Sequence, residues 1–329
     1  MRLVEAEFPE RFREQVVKYA ELAEPIHWRI DDAGDGKACV LRALFARGEA
    51  QELIDALQGL FEEGAKWRII IIPVEATAPK VAPAEPDRDE ERRKARRKTI
   101  ALREEIYHGV SGGAAITADF VLLTLLSTIV AAVGLSANNV AVVIGAMVIA
   151  PLLGPVLAFS FAAALGDLPL LLRAARTALA GLALGAGLAF LIGLLLPVDF
   201  ASDELAARTV LGLDAVALAL ASGGAAALSI AAGLPAALVG VMVAVALLPP
   251  SAAAGMYLGG GDPENAVRAA LLLAVNVVCV NLAALAVFAY KGVRPRTWLE
   301  RVSAKRAAKV NAATLAFLLA VLTGAIILL

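Results

Sequence analysis

The chain has 329 residues and a formal net charge of −1, and 60% of its residues are hydrophobic, well above the roughly 45–50% of soluble domains. The near-neutral total hides segregated basic clusters, so bulk charge by itself says nothing about nucleic acid, and no nucleic-acid partner is expected. Two cysteines in different surroundings, Cys39 and Cys279, and two isolated histidines, His27 and His108, exclude a disulfide framework and a cysteine–histidine metal site.

Hydrophobicity is unevenly spread. Before Thr99 the sequence is ordinarily charged, whereas after Ser111 ionisable residues become rare, as expected where lipid replaces water. Residues 1–76 read as a small α+β unit. Alternation in Arg2–Phe8 opens it, a helix follows Pro9, and strands at Ile26–Ile30 and Ala38–Phe45 flank the turn-forming run Asp31–Gly36. A second helix, Gln51–Glu63, carries Leu53, Ile54, Leu57, Leu60 and Phe61 at helical spacing, and Ile69–Ile72 closes the unit. The order βαββαβ is the split βαβ, or ferredoxin-like, pattern. A sheet this small leaves edges that pair readily, so a homodimer is expected.

Residues 77–113 form a linker with Pro79, Pro83 and Pro86 and a charged juxtamembrane helix. The first 20 residues lack an apolar core, so the first membrane helix is expected to direct insertion. Residues 114–290 then hold six apolar segments, at about 115–134, 138–165, 170–196, 213–232, 236–258 and 264–290. A basic loop, 291–310, and a seventh apolar segment, 311–329, complete an expected bundle of seven transmembrane helices. Lysine and arginine cluster in Arg92–Lys98, at Arg173 and Arg176, and between Lys291 and Lys309. Their asymmetry predicts insertion in the plasma (inner) membrane with the N-terminus cytosolic and the C-terminus external.

Sliding the chain against itself by 95 positions gives twelve identities over positions 145–177, including Gly145 with Gly240, Met147 with Met242, Pro155 with Pro250 and Asp167 with Asp262. The match extends backward through Asp119 with Asp214 and Ser127 with Ser222. Each copy contains three apolar segments, so the second enters from the opposite face, giving an inverted 3+3 repeat of the kind found in secondary transporters. Duplication in a purely structural bundle is the competing account.

In each copy the middle segment carries two prolines, in Ala150–Pro151–Leu152–Leu153–Gly154–Pro155 and in Leu247–Leu248–Pro249–Pro250–Ser251. Proline removes a backbone donor and crowds the preceding turn, so both helices are expected to open near mid-membrane and expose polar backbone to a shared cavity. Pro151, Gly154, Pro155, Pro249, Pro250, Ser251 and Asn276 are the candidate substrate-binding residues. A packed proline kink is the plainer alternative. The run Ile144–Pro155, together with Ala246–Pro250, resembles the uncharacterised hydrophobic domain family of bacteria and archaea, domain of unknown function 389. That resemblance implies the membrane architecture and carries no substrate.

Asp119 and Asp214 are candidates for ion or proton coupling, or else interfacial helix caps. Asp167 and Asp262, each close to a following proline, read as caps. Asn138, Asn139, Asn276 and Asn281 suit interhelical hydrogen bonding. No catalytic triad, metalloprotease or nucleotide-binding motif stands in a supporting context, so no enzyme activity and no cofactor are expected. The sequence reading is a transporter or transport-related channel for a small molecule or ion, in contact with the bilayer, with a regulatory cytosolic domain. The alternative is a membrane-anchored sensor whose cytosolic domain binds a small, nucleotide-like ligand.

Overall fold

Alternation in the first eight residues puts Val4, Ala6 and Phe8 on one face of a strand, and that face becomes the core of a small sheet. The computed structural model describes residues 1–32, 38–46, 49–61, 66–77, 103–232, 236–291 and 293, and the chain divides into two units, Met1–Ile106 and Tyr107–Leu329. In the first unit β1 (Arg2–Pro9) is followed by a 3₁₀ turn (Glu10–Phe12), α1 (Arg13–Leu22), β2 (His27–Asp32), β3 (Ala38–Phe45), α2 (Gln51–Leu60) and β4 (Arg68–Pro73). The strands lie in the order β2-β3-β1-β4 with antiparallel neighbours, the split βαβ arrangement that the sequence pattern predicts.

Val4 pairs with Ala43 on one side and Ile71 on the other. Val4, Ala6, Phe8, Leu41, Ala43 and Phe45 meet Val16 and Ala20 of α1 and Leu53, Ile54 and Leu57 of α2 in one core, with Phe61 stacked on Phe8 at 5.9 Å. The other face carries alternate residues of the same strands. There Arg42 bonds Glu5 at 2.8 Å and Asp31 at 3.1 Å.

The second unit is helical. After α3 (Arg103–Gly112), which begins just before the boundary, come α4 (Ala118–Ser136), α5 (Val140–Ile149), α6 (Leu153–Leu165), α7 (Leu168–Leu195), the single turn α8 (Asp203–Ala206), α9 (Leu213–Ala231), α10 (Ala236–Gly259) and α11 (Pro263–Tyr290). Among the described residues α4, α7, α9 and α11 are long and apolar enough to cross a membrane, and the bent pair α5–α6 makes up to five. In α4 the buried face bears Thr124, Ser127, Thr128, Ala131 and Ala132, while Leu122, Leu126, Ile129 and Val133 face outward. Small and hydroxylated residues inside with large aliphatic ones outside suit a helix whose outer solvent is lipid. Apolar helices of this kind mark a membrane protein.

Helix boundaries recur at the 95-residue spacing. α4 and α9 are both 19 residues long and begin at 118 and 213; α7 and α11 are both 28 and begin at 168 and 263. The turns before the long helices are built alike. Gly166 and Gly261 take φ of 73° and 80°, which favours glycine. The next N–H, of Asp167 or Asp262, reaches back to Ala162 O at 3.0 Å or Tyr257 O at 2.9 Å. Both aspartates then cap the following helix, accepting from Leu170 N at 3.0 Å and Asn265 N at 3.1 Å.

The middle segments differ. α5 and α6 are separated at Ala150–Leu152 and bent by 56°. The expected matching break at Pro249 and Pro250 is corrected here, because α10 continues through both prolines as one 24-residue helix. At the 95-residue spacing Pro151 corresponds to Ala246, whose N–H remains available to the helix. Pro250 takes the partner from Ala246 O, and Asn276 Nδ2 donates to that oxygen at 2.8 Å, so this orphaned carbonyl is satisfied without opening the helix. The linker and the basic run Arg92–Lys98, most of the basic loop 291–310 and the seventh segment 311–329 lie outside the described residues.

Candidate functional site

Pro151 ends α5, leaving Ala150 extended at φ −63° and ψ 126°, and α6 begins after Leu152. Ala150 N bonds Ala146 O at 3.1 Å, the last rung of α5. Pro151 supplies no N–H to Met147 O. Pro155 falls in the first turn of α6, where a missing donor costs little. Leu152, Leu153 and Pro155 are buried, and Pro151 and Gly154 half-buried. Gly154 is required by packing: a Cβ there would come 2.8 Å from Gly113 Cα, and one on Gly113 would come 2.6 Å from Gly154 Cα. Two backbones therefore touch beside the start of α6.

α7 presents a line of small residues, Thr177, Gly181, Gly185, Ala189 and Gly193, all buried. A Cβ on Gly181 would meet the Phe120 ring at 2.8 Å and Leu152 at 3.1 Å; one on Gly185 would meet Thr128 Oγ1 at 3.1 Å and Ser251 Oγ at 4.0 Å. Gly185 thus marks where α4, α7 and α10 converge with their hydroxyls. Thr128 Oγ1 donates to Thr124 O at 2.8 Å, and Ser251 Oγ to Leu182 O at 3.4 Å. The sequence reading missed Thr124, Thr128 and the glycine line; their four-residue spacing was the available signal.

Further along, α7 and α10 run in the same direction, since Gly185 lies by Ser251, Gly255 against Ala186 and Phe190, and Gly259 against Phe190 and Leu194. α6 and α11 meet at the equivalent place, where Ser160 Oγ bonds Asn281 Oδ1 at 2.7 Å. Ser160 corresponds to Gly255, and Asn281 to Ala186, at the 95-residue spacing.

The candidate residues separate into groups. Pro151, Gly154 and Pro155 build the break; Pro249, Pro250 and Ser251 sit buried in α10; Asn276 contacts α10 from α11. Asp119 and Asp214 are both exposed in the first turns of α4 and α9, apart from the buried polar groups. Asn139 caps α5 through Val142 N at 3.2 Å, and Asn138 accepts from Glu204 N at 3.0 Å.

In the first unit Glu10, Asp32 and Cys39 lie within ligand spacing of one another. Arg13 already bonds both carboxylates at 3.0 Å, and the Cys39 thiol donates to Glu10. Burial first, then that bond, pushes the Cys39 thiol up to about 11, so it stays protonated at neutral pH. This is an ion-paired cluster with its thiol neutral, ill-suited to metal binding. A shallow cavity of about 340 Å³ lies on the helix-free face of the sheet, lined by Leu3, His27, Arg29, Arg42, Leu44 and Val74.

Residues 147–282, covering the break, the proline pair and Asn276, match the family model described as a domain of unknown function (DUF389). The chain is also 30% identical over 272 residues to an uncharacterised protein of Methanocaldococcus jannaschii, an alignment covering 83% of this chain and 82% of that protein. No solved structure matches. The chain belongs to the DUF389 family.

Proposed function

We propose that the protein is a secondary transporter or transport-related channel for a small solute, built on an inverted 3+3 repeat with a regulatory cytosolic domain. The observation that carries the reading is the 56° break at Ala150–Leu152, inside an apolar unit whose helices recur at 95 residues. Irregular backbone in such surroundings must face protein or water. Inversion is supported by direction: α7 parallels α10, and a short turn at Gly260–Asp262 reverses the chain into α11, the counterpart of α7. Equivalent helices of the two copies therefore point opposite ways. Seven crossings, a cytosolic N-terminus, an external C-terminus and a homodimer complete the proposal; a reporter fused at Leu329 and mass measurement in mild detergent test them.

Access from both sides of the membrane is the decisive test. Single cysteines at Leu152 and Ser251, in a chain with Cys39 and Cys279 replaced, should react with impermeant thiol reagents from one face in some conditions and from the other in others. Protection from both faces under every condition would leave a sealed bundle. The sensor reading would then lead, supported by the cavity beside His27, Arg29 and Arg42.

A further inference from the structure

We infer that Asn276 Oδ1 and the carbonyls left without helical donors by Pro249 and Pro250 form a binding site for a monovalent cation, an inference that rests on the transport reading. The orientation of the Asn276 amide is fixed by chemistry. Its neighbour at 2.8 Å is Ala246 O, which can only accept, so the amide nitrogen must face it. The oxygen, Oδ1, is therefore the free end, and among the described residues it has no hydrogen-bond partner, in a residue only 6% exposed. An unpartnered buried acceptor of this kind is destabilising unless something donates to it or coordinates it.

The neighbouring backbone adds acceptors. Pro249 supplies no N–H to Val245 O, just as Pro250 supplies none to Ala246 O, and consecutive helical carbonyls are about 1.5 Å of rise apart. Val245 O is thus the next carbonyl along α10 from the one that Asn276 reaches. Every one of these groups is an oxygen acceptor, and α10 and the part of α11 after Arg268 contain no aspartate, glutamate, lysine, arginine or histidine. A neutral cage of carbonyl oxygens excludes anions and offers little to divalent ions, which are bound through carboxylates. It suits an alkali or ammonium ion, whose hydration shell carbonyl oxygens can replace. The first copy places Gly181 at the position of Asn276, so the site belongs to the second copy alone.

The test uses the full-length protein in detergent, with thermal unfolding followed in sodium, potassium, ammonium or choline chloride at equal ionic strength. One of the small cations should raise the unfolding temperature above choline in a saturable way. Asn276→Leu should weaken that half-saturation at least tenfold. Asn276→Asp, which keeps an oxygen at the site and adds charge, should retain or strengthen the response. Equal behaviour of all four salts in the wild type would overturn the inference and assign Oδ1 to a buried water. A cation response unchanged in Asn276→Leu would overturn it too, because the ion would then sit elsewhere. The two-sided thiol accessibility at Leu152 and Ser251 is independent of this readout: access without a cation response sinks only the site, and a cation response in a sealed bundle sinks only transport.

Discussion

Each half of the membrane unit places prolines in the middle of an apolar helix, and the halves resolve that conflict differently. In the first copy the chain gives way: α5 stops at Ile149, turns through Ala150–Leu152 and resumes as α6 at 56°. In the second, α10 stays whole, and Asn276 of the next helix supplies the donor that Pro250 lacks. Two neighbouring residues decide the outcome. Pro151 has Ala246 as its counterpart, and Gly181 has Asn276. A helix in lipid can thus accommodate lost hydrogen bonds either by bending or by borrowing a side chain.

The comparison breaks most sharply with Ala246→Pro, which gives α10 the proline that ends α5. It should open or kink α10 and cost about 3 kcal/mol or more, read by unfolding in mixed micelles and by new thiol reactivity at Ser251. Asn276→Leu should destabilise by about 1–3 kcal/mol, because Ala246 O would be left buried without a donor; an unchanged unfolding midpoint would mean α10 does not need the borrowed donor. Pro151→Ala should move the first copy toward the second. Met147 O would regain a possible helical donor, so stability should stay equal or rise by up to about 1 kcal/mol, while two-sided access at Leu152 declines.

The smallest effect lies in the N-terminal unit and serves as a control. The Glu10 carboxyl is held below its ordinary value, first by the Cys39 bond and then by Arg13. Its contribution is therefore present above the unfolded value and lost as pH falls through the lower folded one. Cys39, raised from 9.0 to about 11, contributes below pH 9 and loses that contribution as pH climbs from 9 toward 11. Glu10→Gln should flatten the acid limb of the Trp28 and Trp67 fluorescence transition in the full chain and leave accessibility at Leu152 and Ser251 unchanged.

Much of this architecture was legible in the sequence because it rests on local rules. Alternation in β1 and the isoleucine run of β4 gave the sheet, and the 95-residue self-match anticipated paired helices whose first and last residues coincide at that spacing. Asp167 and Asp262 read correctly as caps. The continuity of α10 was not legible, because it depends on Asn276 reaching a carbonyl 30 residues earlier in the chain. The hydroxyl cluster was hidden for a similar reason. Thr124 and Thr128 look like ordinary helix residues until α7 brings Gly185 against them.

The 28-residue length of α7 and α11 carries a consequence for the surrounding lipid. At 1.5 Å per residue each is about 42 Å long, against about 30 Å of hydrocarbon, while the 19-residue α4 and α9 fit at about 28 Å. Tilt absorbs part of the excess, and the remainder belongs at the headgroups, where Arg173 and Arg176 in the second and third turns of α7, and Arg268 in the second turn of α11, can sit without penalty. In the proposed inverted arrangement these overhangs would emerge on opposite faces. Bilayer thickness then becomes a control variable in its own right: lengthening the acyl chains of a reconstituted membrane should draw α7 and α11 upright and shift the accessibility of Leu152 and Ser251 with no ligand added.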